Sequence, residues 1–106
     1  MSFIAMNRFK VRHGHEEAFE TMWRDRESRL NDMPGFVEFR LLKGPDGDGF
    51  RLYTSHVIWA SRADFDGWTR SQQFRDSHRG AGNTTTREAL MGAPVFEGYE
   101  TVLHQT

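Results

Sequence analysis

The stretch Phe3-Ile4-Ala5-Met6-Asn7-Arg8-Phe9-Lys10-Val11 decides the fold. Its residues alternate as those of a β-strand do, so that Phe3, Ala5, Asn7, Phe9 and Val11 share one face and Ile4, Met6, Arg8 and Lys10 the other. The first face is apolar except at Asn7. A strand with one apolar face needs a second layer to cover it, and the residues that follow supply one.

After Gly14, residues from His15 to Asn31 place Ala18, Phe19, Met22, Trp23 and Leu30 at helical spacing among Glu and Arg, which predicts an amphipathic helix stopped by Pro34-Gly35. Phe36 to Lys43 and Phe50 to Trp59 are rich in β-formers and flank the cluster Gly44-Pro45-Asp46-Gly47-Asp48-Gly49, which predicts a hairpin with a long turn. Ser61 followed by Asp64 resembles a capping box, and it opens a helix on which Phe65 and Trp68 share a face. A further helical segment is expected from about Ser71, with Phe74 and His78 one turn apart. Gly80, Gly82, Gly92 and the run Thr84-Thr85-Thr86 predict a loop between Arg79 and Pro94, and the last strand is expected from about Val95 to Leu103. The order βαββαβ is that of the ferredoxin-like α+β class, an antiparallel sheet with its helices on one face. The opposite face then calls for a second subunit, and Phe39 and Tyr53 are expected to meet it.

The chain of 106 residues suits a single domain over 1–106. Fourteen Lys and Arg against fifteen Asp and Glu give a formal net charge of -1, so no global field attracts nucleic acid or an anionic membrane. The lack of cysteine excludes a disulfide framework, thiolate-ligated heme, iron-sulfur clusters and Cys-type zinc sites. The N-terminal residues show neither the basic start nor the apolar run of a signal peptide, and the protein is expected to be soluble and cytoplasmic. Nine Phe, three Trp and two Tyr are more aromatic surface than a minimal fold needs, which points to a ligand pocket or a subunit interface.

No GxGxxG, Walker A loop, HExxH or GxSxG is present, so nucleotide-binding, zinc-protease and hydrolase readings lack their motifs. His13 and His15 stand two apart at a strand end with no third ligand in view and read as surface residues; His56 and His104 read as structural or solvent-facing. His78 differs. It follows Phe74 by one helical turn and is flanked by Arg70, Arg75 and Arg79, and an imidazole beside aromatic surface and cations suits a metal porphyrin with anionic propionates. Taken singly, His78, Asn7 and Trp68 each have an ordinary structural reading, as an amphipathic-helix residue, a backbone-satisfying amide and a core aromatic. Their combination carries the argument.

Asn7 in the first strand, the run Trp68-Thr69-Arg70-Ser71-Gln72-Gln73-Phe74-Arg75-Asp76-Ser77-His78 and the Pro34-Gly35-Phe36 turn together resemble the IsdG-type heme-degrading monooxygenases, part of the antibiotic biosynthesis monooxygenase (ABM) superfamily of dimeric α+β barrels. The resemblance extends over nearly the whole chain in element order, and the Asn, Trp and His triplet is its specific part. It implies that His78 is the axial ligand of heme iron, that Asn7 is the distal hydrogen-bond donor and that Trp68 presses against the porphyrin face. It also implies Trp23 as a pocket wall, Arg26 near a propionate, and Phe74 beside the heme. Heme would be both cofactor and substrate, O2 the oxidant, and an external reductase or reductant the electron source, since no flavin or nicotinamide motif is present. The Gly- and Thr-rich stretch over 79–93 departs from the family pattern and bears on where the ring opens. Two other readings share these residues: a cofactor-independent monooxygenase of the same superfamily acting on a quinol or polyketide, and a heme-binding dimer without turnover.

Overall fold

The alternating N-terminal stretch forms strand β1 (Phe3–Arg12), which pairs antiparallel with β3 (Phe50–Trp59) on one side and β4 (Val95–Glu100) on the other. The computed structural model describes residues 2–25, 30–71 and 88–106. Between β1 and β3 lie helix α1 (Glu16–Asp25), a 3-10 turn at Leu30–Asp32 and strand β2 (Phe36–Asp46); helix α2 (Arg62–Thr69) follows β3. The strands run in the order β2-β3-β1-β4, all antiparallel, which is the expected ferredoxin-like α+β arrangement.

Both helices cover the face that carries Phe3, Ala5, Asn7, Phe9 and Val11. α1 lays Phe19, Met22 and Trp23 against Val11, Tyr53, Phe9 and Leu41. α2 lays Phe65 and Trp68 against Phe3, Ala5, Trp59 and Val57. The start of α2 is fixed by Ser61, extended at φ -153 and ψ 164, whose Oγ accepts from the Asp64 N–H at 3.2 Å and donates to Asp64 Oδ2 at 2.9 Å. Acidic Glu16 and Glu17 occupy the first turn of α1, where they meet the positive end of the helix dipole. Farther along α1, Glu20 accepts a hydrogen bond from the buried Tyr53 hydroxyl and lies 3.5 Å from Lys43 Nζ and 3.2 Å from an Arg24 nitrogen. A polar pin thus reaches through the apolar layer from sheet to helix.

Four expectations need correction. Leu30 sits in the 3-10 turn rather than in α1. The hairpin turn is short, because β2 continues through Gly44 and Pro45 to Asp46 with a register shift between Lys43 and Asp46; β2 is an edge strand, where a bulge and a proline interrupt no second ladder. β4 ends at Glu100, earlier than expected. Phe39 and Tyr53 belong to the helix-covered face: Tyr53 is 1% exposed beneath α1, and Phe39 stacks on Trp23 with centroids 5.6 Å apart. The uncovered face carries the other set, Ile4, Met6, Leu42, Leu52, Ile58, Val95 and Tyr99, with Leu42, Val95 and Tyr99 exposed. The helical segment and loop expected between Gln72 and Arg87 lie outside the described residues.

Candidate functional site

The helix-covered face holds two separate apolar clusters, and Asn7 stands at the boundary between them. Strand register puts Leu41, Ser55, Asn7 and Phe96 side by side in one row across the four strands. On one side of the row lie Ala5, Trp59, Phe65 and Trp68; on the other lie Phe9, Phe19, Trp23 and Tyr53. The row is polar at its centre, with a carboxamide on β1 directly opposite a hydroxyl on β3. Side chains so paired have Cβ atoms about 4.5–5.5 Å apart.

Ser55 is 4% exposed and Asn7 half-buried. Among the described residues neither side chain has a hydrogen-bond partner, whereas other buried or half-buried polar side chains such as Tyr53 and Ser61 have theirs. Neither polar group is wholly shut off from solvent, so both can meet water or the polar atom of a ligand. The surroundings are aromatic. Phe96 stacks on Phe65 at 5.6 Å and 13°, Trp68 leans on Trp59 at 6.0 Å, and Trp23 lies between Phe39 at 5.6 Å and Phe9 at 6.0 Å.

The row has no titrating group among the described residues, so its chemistry is that of neutral hydrogen-bond donors and acceptors set between aromatic walls. It suits a flat apolar ligand that turns an oxygen or an anion toward the sheet.

Of the residues singled out in the sequence, Asn7, Trp68 and Trp23 lie on the same helix-covered side of the sheet, the two indoles in separate clusters. Trp68 is 6% exposed and shares its cluster with Ala5, two residues before Asn7 on the same strand face. His78, Arg26 and Phe74 lie outside the described residues. His13 pairs with Asp46 at 3.2 Å in an exposed position, His56 points to the uncovered face opposite Met6 and Arg40, and no group of three metal-ligating side chains exists among the described residues. Ser55 was not singled out in the sequence. Its signal was present on the second face of β3, where one small hydroxyl interrupts Tyr53, Val57 and Trp59 as Asn7 interrupts its own apolar face.

Fold and site define a class: a small α+β protein with an uncharged polar pair set between aromatic walls under its helices. The chain belongs to the antibiotic biosynthesis monooxygenase family, whose model matches residues 2–80. It is 32% identical over 50 residues to a heme-degrading monooxygenase of Bacillus cereus, a match that spans 47% of each chain, about half the length of that relative. Its fold is similar to that of MhuD, a heme-degrader from Mycobacterium tuberculosis solved with two hemes bound, at a TM-score of 0.72 and 23% identity over 98% of this chain and 99% of that one. It is similar too to SnoaB, a cofactor-independent oxygenase from Streptomyces nogalater, at a TM-score of 0.67 and 23% identity over 99% and 95%. Among the described residues no helix is long and apolar enough to cross a membrane.

Proposed function

We propose that the protein is an IsdG-type heme-degrading monooxygenase that opens the porphyrin ring with O2 and electrons from an external reductase or reductant, releasing iron and a linear tetrapyrrole. The observation that carries this reading is the unpartnered Asn7 carboxamide on an aromatic-walled floor, with Trp68 in the wall. A porphyrin is a flat apolar plate with a polar axis, and apolar walls around a neutral donor fit both properties. When bound, heme would supply the redox chemistry that activates O2.

The chain's own residues have distinct tasks. Asn7 would offer its Nδ2 amide as a hydrogen-bond donor to an oxygen of the bound ligand, from a backbone position that the sheet fixes. Trp68 offers a flat indole backed by the fully buried Trp59, and Trp23 closes the wall on the other side. His78 is assigned as the iron ligand, Arg26 as a propionate partner and Phe74 as a further pocket residue, on the resemblance in sequence. The protein acts as a cytoplasmic homodimer of one domain each, with the uncovered sheet face and its Leu42, Val95 and Tyr99 as the surface a second copy covers.

The likeness to SnoaB supports a second reading, since the same row accepts a planar hydroxylated aromatic without iron. Hemin titration separates the two: heme binding gives a sharp Soret shift that His78→Ala abolishes and that His13→Ala, His15→Ala and His104→Ala leave intact. Reductant added under air then bleaches the Soret band of an enzyme and spares that of a carrier, and mass analysis of the pigment identifies the product. The heme reading falls if wild-type protein gives no Soret shift.

A further inference from the structure

Ser55 is a mostly buried polar residue of the helix-covered layer and stands opposite Asn7. At 4% exposure it is nearly covered, yet its hydroxyl is not wholly shut off from solvent and makes no hydrogen bond among the described residues. Its neighbours across the sheet are Leu41 on β2 and Asn7 on β1, both on the same face. Along its own strand the flanking positions of that face are Tyr53, whose hydroxyl is engaged with Glu20, and Val57. Among the described residues no side-chain hydrogen bond gives the hydroxyl a structural reason on this face. Its position beside Asn7 supplies a functional one.

We propose that Ser55 is a second ligand-facing polar residue of the site, whose hydroxyl shares with the Asn7 carboxamide the oxygen or small anion that a bound ligand turns toward the sheet. The two groups complement each other chemically. The amide brings a planar donor and an acceptor, while the hydroxyl rotates about its C–O bond and follows the ligand atom. A polar floor two residues wide would hold a small anion at two points rather than one. The inference extends the proposed heme reading and shares its site, but its test is separable from it.

Three proteins decide the matter: wild type, Ser55→Ala and Ser55→Thr. In the first arm the ligand-free proteins are melted. A hydroxyl kept for a ligand is dispensable to the fold, so Ser55→Ala melts near the wild-type temperature, because it gives up no hydrogen bond within the protein. A fall of about 4 °C or more, the size expected when a domain of this length loses roughly 1 kcal/mol, overturns the proposal. In the second arm the ferric hemin complexes are titrated with azide and followed by the Soret band. Ser55→Ala weakens azide by about three- to tenfold, the worth of one hydrogen bond, and Ser55→Thr restores it. Equal azide affinity in wild type and Ser55→Ala overturns the proposal. If wild-type protein takes up no hemin, the heme reading fails, and the second arm is run instead with 5-hydroxy-1,4-naphthoquinone, followed by quenching of tryptophan fluorescence. The same loss and rescue then support Ser55, and equal or absent binding overturns it.

Discussion

Asn7 and Tyr53 are both polar groups on the helix-covered sheet face, yet the fold uses them in opposite ways. Tyr53 is satisfied inside the protein: its hydroxyl donates to Glu20, which holds that carboxyl below its ordinary range, while burial and the carboxylate together push the Tyr53 phenol up. A depressed carboxylate stabilises the fold above its unfolded pKa, near the ordinary value of 4.5, and loses that contribution as pH falls through its folded value. Tyr53→Phe is therefore expected to lower stability by about 1–2 kcal/mol at neutral pH, and the gap from wild type should narrow in acid as Glu20 is protonated, below its ordinary range. Urea unfolding at neutral and acid pH checks this, and a gap independent of pH would mean the phenol is not coupled to the Glu20 charge. Asn7 makes no such bond within the described residues and is the residue proposed above to meet a ligand. Asn7→Ala is expected to bind hemin nearly as wild type does and to lose ring-opening activity by roughly a hundredfold or more, as when one preorganised donor to a developing anion is removed. Paired measurements of hemin affinity and Soret decay under air with reductant separate this outcome from a structural role, in which affinity and stability would fall together.

At the scale of elements, the position of Trp68 depends on how α2 begins. Ser61 and Asp64 bond reciprocally at its first turn, and Gly35, at φ 81 in the turn before β2, packs against the Asp64 side chain so closely that a Cβ there would overlap it. The Gly35 carbonyl also accepts from the Ala60 N–H at 2.7 Å, joining the turn before β2 to the end of β3 just ahead of the cap. Ser61→Ala should cost about 1 kcal/mol, the usual worth of an N-cap. Gly35→Ala should cost more, because it combines a left-handed backbone with displacement of the capping residue. Thermal melts rank the two, and a Gly35→Ala protein as stable as wild type would show that the turn can open away from α2 without loss.

The whole molecule has an asymmetric sheet: one face lies under both helices and the other shows Leu42, Val95 and Tyr99 to solvent beside Ile4, Met6 and Ile58. Homodimerisation across that face is expected, and light scattering at micromolar concentration should return twice the mass of one chain. Replacing Val95 or Tyr99 by Glu, each exposed on this face, should shift the equilibrium toward monomer, because a charge buried in an apolar interface without a partner is strongly unfavourable. A wild-type protein that stays monomeric, or Glu variants that stay dimeric, would place the interface elsewhere or remove it.

Local patterns in the sequence determined the elements. Alternation in β1 and β3, the helical spacing of Phe19, Met22 and Trp23, and the Ser61 cap are each set by residues a few positions apart, where periodicity alone decides which side chains share a face. The βαββαβ order followed from them, and so did the oddness of Asn7 on an apolar face. Register was decided only by the tertiary structure. It brings Ser55 opposite Asn7 across 48 positions of chain, carries Phe39 and Tyr53 under α1 rather than onto the open face, and divides the apolar layer into two clusters that meet at the polar row. Periodicity names the two faces of a strand but says neither which residue of another strand lies opposite nor which face a helix will cover. Those depend on pairing between distant segments, which the bulge in β2 and the packing of both helices fix together.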